Sequence, residues 1–210
     1  MFKNRQEAGE KLAESLARFQ DDDVLVLAVP RGGLVTAAPA IMKYGFAWDL
    51  IIPRKLGSPY NEEYAIGAVA VDGTYFVDEY LVQAMGVTED YIRRAVTGEV
   101  EEIKRRLRAY RGHDRLPEVA GKTVILIDDG IATGFTIQAA VESIRNQGAK
   151  KIILAVPVAP KDTVERFARM VDEVVCLLAP QDFQAVGQFY RDFSQTSDEE
   201  VEVILSRLRR

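Results

Sequence analysis

Reactive and metal-ligating side chains are scarce in this 210-residue chain, which carries one cysteine and one histidine. Cys176 lies in the apolar run 174–178 and reads as a core residue rather than a nucleophile or ligand. His113 stands in the polar stretch Arg111-Gly-His-Asp-Arg115, a solvated loop by composition, and by itself makes neither a metal site nor a Ser-His-Asp triad. No apolar run reaches transmembrane length, and residues 1–20 read as an amphipathic helix with Glu and Arg throughout, not as a signal peptide. The formal charge is -5 with the cations spread along the chain, so there is no electrostatic reason to expect a nucleic-acid partner. Gly-x-Gly-x-x-Gly is missing, as is a Gly-rich loop ending in Gly-Lys-Ser/Thr, which sets aside dinucleotide-binding and P-loop architectures. The expectation left standing is a cytoplasmic enzyme with no membrane partner.

The information that is present concentrates at Thr123-Val-Ile-Leu-Ile-Asp-Asp-Gly-Ile-Ala-Thr-Gly-Phe-Thr136. Residues 124–127 form a continuous apolar run, which suits a strand covered on both faces in a mostly parallel sheet. Asp128 and Asp129 then fall at its carboxyl end, where open α/β sheets bind ligands. A small-residue turn and a helix start follow, and their backbone N–H groups suit a phosphate. A sugar phosphate fits this order, with hydroxyls toward the acids and phosphate toward the N–H groups.

Two other strand ends are of interest. The apolar strand 24–29 is followed by Pro30-Arg31-Gly32-Gly33, whose glycines let N–H groups approach an anion while Arg31 adds a fork of donors. The same residues also read as a strand-ending turn with a solvent-facing arginine. A strand at about 49–53 would deliver Arg54 and Lys55 to the same sheet edge as the acids, unless the two are a solvated basic pair.

The wider pattern is helix 4–19, strand 24–29, helix 33–44, strand 48–53, an irregular region 56–78, helices near 78–84 and 88–110, then strand 123–127, helix 135–147, strand 151–156, helix 161–170, strand 173–178 and a last helix from about 198. Ser197 and Glu200 stand at capping-box spacing for that helix. Alternation of this kind argues a doubly wound α/β fold with a mostly parallel sheet. Asp72-Gly73 would turn a hairpin between 66–71 and 74–77. Glu62, Glu63 and Tyr64 read as ligand contacts or as exposed loop. The helix at 88–111 repeats apolar residues at three and four spacing, giving a face for the domain or for a second subunit.

Asp128-Asp129-Gly-Ile-Ala-Thr-Gly-Phe-Thr136 resembles the phosphoribosyl pyrophosphate (PRPP) signature of the type I phosphoribosyltransferases. The resemblance implies that Asp128 and Asp129 bind the ribose hydroxyls and order Mg²⁺. Gly130, Ile131, Ala132, Thr133 and Gly134, with the Thr133 and Thr136 hydroxyls, would cradle the 5′-phosphate. Arg31, Gly32 and Gly33 would form the pyrophosphate loop, with a strained or cis peptide at Arg31-Gly32, and Lys55, with Arg54 second, would contact pyrophosphate. Residues 56–118 correspond to a hood or insert, and 179–210 to the acceptor side. There Phe183 resembles a base-stacking aromatic, Val186-Gly187 a turn, and Asp192 an acid meeting metal or pyrophosphate. Tyr190-Arg191-Asp192-Phe193 departs from the family's Gly-Leu-Asp-Tyr, and the lysine that reads a purine 6-oxo group is missing.

Across 24–193 the chain is most similar to a bacterial and archaeal group usually described only as predicted phosphoribosyltransferases, sharing Pro-Arg-Gly-Gly, Arg-Lys-Leu-Gly and Ala-Val-Gly-x-x-Tyr-x-Asp-Phe. What this implies is one domain over 1–210 that transfers phosphoribosyl from PRPP to a nitrogenous acceptor, a nucleobase by preference, with Mg²⁺ and release of pyrophosphate. The alternatives are a PRPP-binding regulatory protein without turnover, an interaction module, and a phosphorolytic or PRPP-hydrolysing enzyme. Relatives are often dimers, for which helix 88–111 is the natural seam. Asp129→Asn is expected to cut turnover and leave the melting curve unchanged.

Overall fold

In the computed structural model, which describes residues 1–209, the chain runs α1 (Arg5–Leu16), β1 (Val24–Ala28), α2 (Gly32–Tyr44), β2 (Ala47–Leu50), β3 (Arg54–Ser58), β4 (Asn61–Val69), β5 (Tyr75–Val77), α3 (Glu79–Ala84), α4 (Glu89–Arg111), β6 (Thr123–Ile127), α5 (Phe135–Asn146), β7 (Lys151–Val158), α6 (Lys161–Phe167), β8 (Glu173–Leu178) and α7 (Asp198–Leu208). Short 3-10 turns lie at Ala17–Phe19 and Val186–Phe189. The chain is an α/β protein with two compact units, Met1–Leu50 with Glu118–Thr133 and Gln147–Arg210, and Ile51–Pro117 with Gly134–Asn146.

The first unit is built on a five-stranded parallel sheet in the order β2-β1-β6-β7-β8. Its apolar runs are inside: Val124, Ile125, Leu126 and Ile127 are fully buried, each contributing about 2 kcal/mol on transfer from water. That burial anchors the two acids that follow. From β1 the chain goes to β2 on one side, whereas β6 lies on the other, so the topological switch point falls between β1 and β6. Helix α1 packs on α2 through Gly9, where a Cβ would stand 3.0 Å from the Thr36 carbonyl carbon and 3.1 Å from Pro39 Cγ.

The second unit carries an antiparallel sheet in the order β3-β4-β5. The Asp72-Gly73 hairpin forms as expected, with Val69 opposite Tyr75, Gly73 at φ 84° and the Asp72 carboxylate accepting from the Thr74 N–H and hydroxyl. The expected strand 49–53 does not: β2 ends at Leu50, and Arg54 and Lys55 open β3 in the other sheet. Pro53, which has no N–H to give a ladder, separates the two strands. Glu62, Glu63 and Tyr64 are exposed on β4 rather than in a loop.

Part of the apolar face of α4 packs within its own unit. Ile92, Ile103 and Leu107 are buried, the helix packs on β3 and β4, and the Tyr91 hydroxyl donates to the Gly57 carbonyl at 2.9 Å. Thr88 caps its start by accepting from the Tyr91 N–H. On the outer face Glu102 accepts from Arg105 and Arg106 at 2.6 and 2.8 Å, which brings its pKa down to about 2. A carboxyl lowered by folding stabilises the fold above its unfolded value of 4.5 and stops doing so as pH falls toward 2. Glu102→Gln is therefore expected to cost about 0.5 kcal/mol at neutral pH, as screened helix pairs do. Urea denaturation should find that difference shrinking near pH 2.

Candidate functional site

Two loops leave neighbouring strands at the switch point, 29–31 between β1 and α2 and 128–133 after β6. Ala28 pairs with Ile127, and the Val29 N–H donates to the Ile127 carbonyl at 3.0 Å, which fixes their spacing. The approach of the 128–133 loop leaves no room for a side chain on the first two residues of α2. A Cβ on Gly33 would stand 2.9 Å from both the Asp128 Cα and the Ile127 carbonyl oxygen, and one on Gly32 would run into the Asp129 carboxyl and the Arg5 guanidinium. The paired glycines are what let the first turn of α2 lie against the acids. The cis peptide is at Pro30-Arg31, one bond before the expected position, and Arg31 already has helical angles, φ -88° and ψ -42°.

Asp128 accepts from the Asp129 N–H through Oδ1 at 2.8 Å. Asp129 is held by Arg5, whose Nε donates to Oδ2 at 2.6 Å, with the two side chains 12% and 16% exposed. The Tyr190 hydroxyl donates to the Asp129 carbonyl at 2.6 Å. Burial, and then the charge of Asp129, push Asp128 well above the ordinary carboxylate range. Burial also raises Asp129, with Arg5 opposing it. Among the described residues no group of three or more His, Cys, Asp or Glu could hold a metal. Two carboxylates alone suit a divalent cation that brings oxygen ligands with it, as Mg²⁺ does with phosphates.

The loop after the acids is held from behind by α6. Thr163 Oγ1 donates to the Ala132 carbonyl at 3.3 Å, and Arg166 Nη2 donates to the Thr133 carbonyl. A trans peptide points its C=O and N–H in opposite directions, so these bonds turn the N–H of Thr133 and of the residue after it away from α6. Arg166→Met is expected to cost about 1 kcal/mol, a fall of about 2–4 °C in melting temperature by calorimetry. Ile131 departs from its expected role: its side chain is buried and its N–H donates to the Val158 carbonyl at 2.9 Å, so the end of β7 uses the donor expected to reach phosphate.

Residues 3–194 match the family model described as phosphoribosyl transferase domain. The chain belongs to this family. It is similar over 99% of both chains to the solved structure of TT1426 from Thermus thermophilus, at 36% identity and a TM-score of 0.82. It is 41% identical over 211 residues to a Mycobacterium tuberculosis protein that carries the provisional name phosphoribosyl transferase. That alignment covers all of this chain and 47% of the relative, so the chain spans about half the length of the curated relatives it matches. The amidophosphoribosyltransferase of Escherichia coli K12 is 27% identical over 157 residues, which is 74% of this chain and 24% of that protein.

Elsewhere in this phosphoribosyl transferase domain, Arg31 is within 3.5 Å of Asp198 at the start of α7. Phe183 is half-buried and stacks on Phe189, with centroids 5.5 Å apart and planes at 23°. Val186 packs on Gly130, where a Cβ would meet its methyls at 2.5 and 3.1 Å. Asp192 is exposed, accepts from the Ser194 N–H at 3.0 Å, and is kept below its ordinary pKa by those Ser194 hydrogen bonds. In the second unit, Lys55 is exposed opposite Ala68, and Arg54 is ion-paired with Glu99. Gly134, at φ 79°, accepts from the Gln138 N–H, and Thr136 is half-buried in the first turn of α5.

Sequence reasoning missed Arg5 and the contact of Tyr190 with Asp129. Arg5 is one charge among many in an amphipathic helix more than a hundred residues from the motif, and nothing local distinguishes it. Tyr190 lay in a segment already of interest, but only the fold brings its hydroxyl to the acid.

Proposed function

We propose that this domain binds PRPP with Mg²⁺ and transfers its phosphoribosyl group to a nitrogen nucleophile, a nucleobase by preference, releasing pyrophosphate. The observation that carries this reading is the buried β6 strand delivering Asp128 and Asp129 to the switch point, against a Gly-Gly helix start too close for any side chain. The two carboxylates accept from the ribose 2′- and 3′-hydroxyls and so fix the sugar for attack at C1. The N–H groups after Ile131, with the Thr133 hydroxyl, receive the 5′-phosphate. Arg31 meets the pyrophosphate as its charge grows, which lowers the barrier to its departure. The family motif assigns Lys55, with Arg54 second, to pyrophosphate, and Gly134 and Thr136 to the 5′-phosphate. Mg²⁺, when bound, would be held by Asp128 and Asp129 together with ligand oxygens and would neutralise pyrophosphate charge. Phe183, Val186 and Asp192 form the acceptor side, and residues 56–118 the hood.

A PRPP-binding protein without turnover is the second reading, favoured by the stacking of Phe189 on Phe183, which takes one face of the ring expected to hold a base. Pyrophosphate release from PRPP with Mg²⁺, over a panel of purine and pyrimidine bases and a no-base control, separates the two. Release that depends on one base supports the transferase. Saturable PRPP binding with no release on any base would remove the nucleobase transferase and leave the regulatory reading.

A further inference from the structure

We infer that Arg5 is a positioning residue for the phosphoribosyl site: its guanidinium fixes the Asp129 carboxylate and ties that acid to the segment following β8. The inference rests on the proposed function. Arg5 makes three contacts at once. Nε donates to Asp129 Oδ2 at 2.6 Å, Nη1 donates to the Ser194 carbonyl at 2.7 Å, and the guanidinium carbon lies 3.8 Å from the centroid of the Phe193 ring. The Asp129 contact is nearly dry, and no other cation touches either acid among the described hydrogen bonds and ion pairs. Since Arg5 binds Oδ2, Oδ1 is left to accept from a ligand hydroxyl. A carboxylate free to swing would lose that aim; one clamped by a planar fork keeps it.

The fold places Arg5 with care. Gly9, one helical turn later on the same face of α1, sits against the Thr36 carbonyl, and Gly32, one turn before Thr36, leaves room for Arg5 Nε. A Cβ on Gly32 would come within 2.6 Å of that nitrogen. The residues just before Arg5 are zipped to the segment after β8: the Phe2 N–H donates to the Phe189 carbonyl and the Arg191 N–H to the Phe2 carbonyl, both at 2.8 Å, and the Asp192 N–H to the Lys3 carbonyl at 2.9 Å. Phe2 and Tyr190 also pack ring to ring, 5.3 Å between centroids. Arg5 therefore joins the acid to the stretch that carries Asp192, and its own side chain lines a cavity of about 190 Å³ with Asp192, Ser194 and Thr196.

Isothermal titration of PRPP in the presence of Mg²⁺ tests this without knowledge of the acceptor. Arg5→Met should weaken PRPP binding on the order of 10²-fold, the scale of misplacing a group by about 1 Å. Arg5→Lys keeps the charge but not the fork, and should recover about tenfold of that loss. In an Asp129→Asn background the Arg5→Met change should add little, because Arg5 acts through Asp129. PRPP binding by Arg5→Met or Arg5→Lys equal to the unaltered chain would overturn the inference, as would full additivity in the double variant. If Arg5→Met fails to fold by circular dichroism, Arg5→Lys decides alone. Failure of the underlying reading looks different: the unaltered chain would not bind PRPP, or Asp129→Asn would bind it undiminished.

Discussion

Asp128→Asn is expected to abolish PRPP binding while raising the melting temperature of the ligand-free protein. The Asp128 carboxyl is pushed upward by burial and by the neighbouring Asp129 charge, and the hydrogen bond it accepts comes from the Asp129 backbone. An asparagine keeps that acceptor and removes the charge. An acid whose pKa is raised on folding costs nothing below its ordinary value of 3.8, and costs progressively more as pH climbs through the raised value. The gain from Asp128→Asn should therefore be present at neutral pH and vanish near pH 3. Asp129→Asn sets two effects against each other, since burial raises its carboxyl too while Arg5 opposes the shift. Removing the charge relieves that burial and weakens the hold on the Arg5 guanidinium, so the melting temperature should move less than in Asp128→Asn. The unchanged melting curve expected for Asp129→Asn from sequence is therefore a prediction for calorimetry. Asp129→Asn should lose PRPP affinity on the order of 10²-fold. Loss of ligand in both variants without a fall in melting temperature would separate the site from the scaffold; a large fall in both would mean that the acids act through stability.

Gly33→Ala is the second large effect. Its Cβ would stand 2.9 Å from the Asp128 Cα and the Ile127 carbonyl oxygen, both backbone atoms at the end of a buried strand that cannot swing aside. Overpacking of this kind costs about 1–3 kcal/mol. Whatever relief is available must come from moving the first turn of α2, with Arg31 and the glycine N–H groups, relative to the acids. PRPP affinity should fall about 10²-fold with it. Gly98→Ala provides the control: a Cβ there meets nothing within 4 Å, the position is inside α4, and the change should stabilise by about 0.5–1 kcal/mol. Calorimetric melting of the two variants side by side measures both signs.

Much of the scaffold was legible because local pattern and tertiary outcome agree. The runs at 123–127 and 173–178 became β6 and β8 with those bounds, Asp72-Gly73 turned its hairpin, and Ser197 with Glu200 formed the capping box. The nine residues from Asp128 fixed the family, since acids, small residues and hydroxyls in that order have few other uses. What stayed hidden depends on long-range geometry. β3 was unreadable because its partner, β4, determines it, and Gly57 and Pro59 obscure its alternation. The use of the Ile131 N–H by Val158 required knowing where β7 ends. Arg5 needed the packing of α1 on α2, and which residues of the α4 face are buried, Ile92, Ile103 and Leu107, depended on the sheet beneath it.

The central claim is that the acid pair after β6 is a PRPP site, and calorimetric titration of the unaltered chain with PRPP, with and without Mg²⁺, tests it most directly, with Asp128→Asn as the paired variant. The account predicts saturable, Mg²⁺-dependent binding by the unaltered chain and none by Asp128→Asn, whose melting temperature is at or above that of the parent. Absence of PRPP binding by the unaltered chain, or binding that survives the substitution intact, would contradict it.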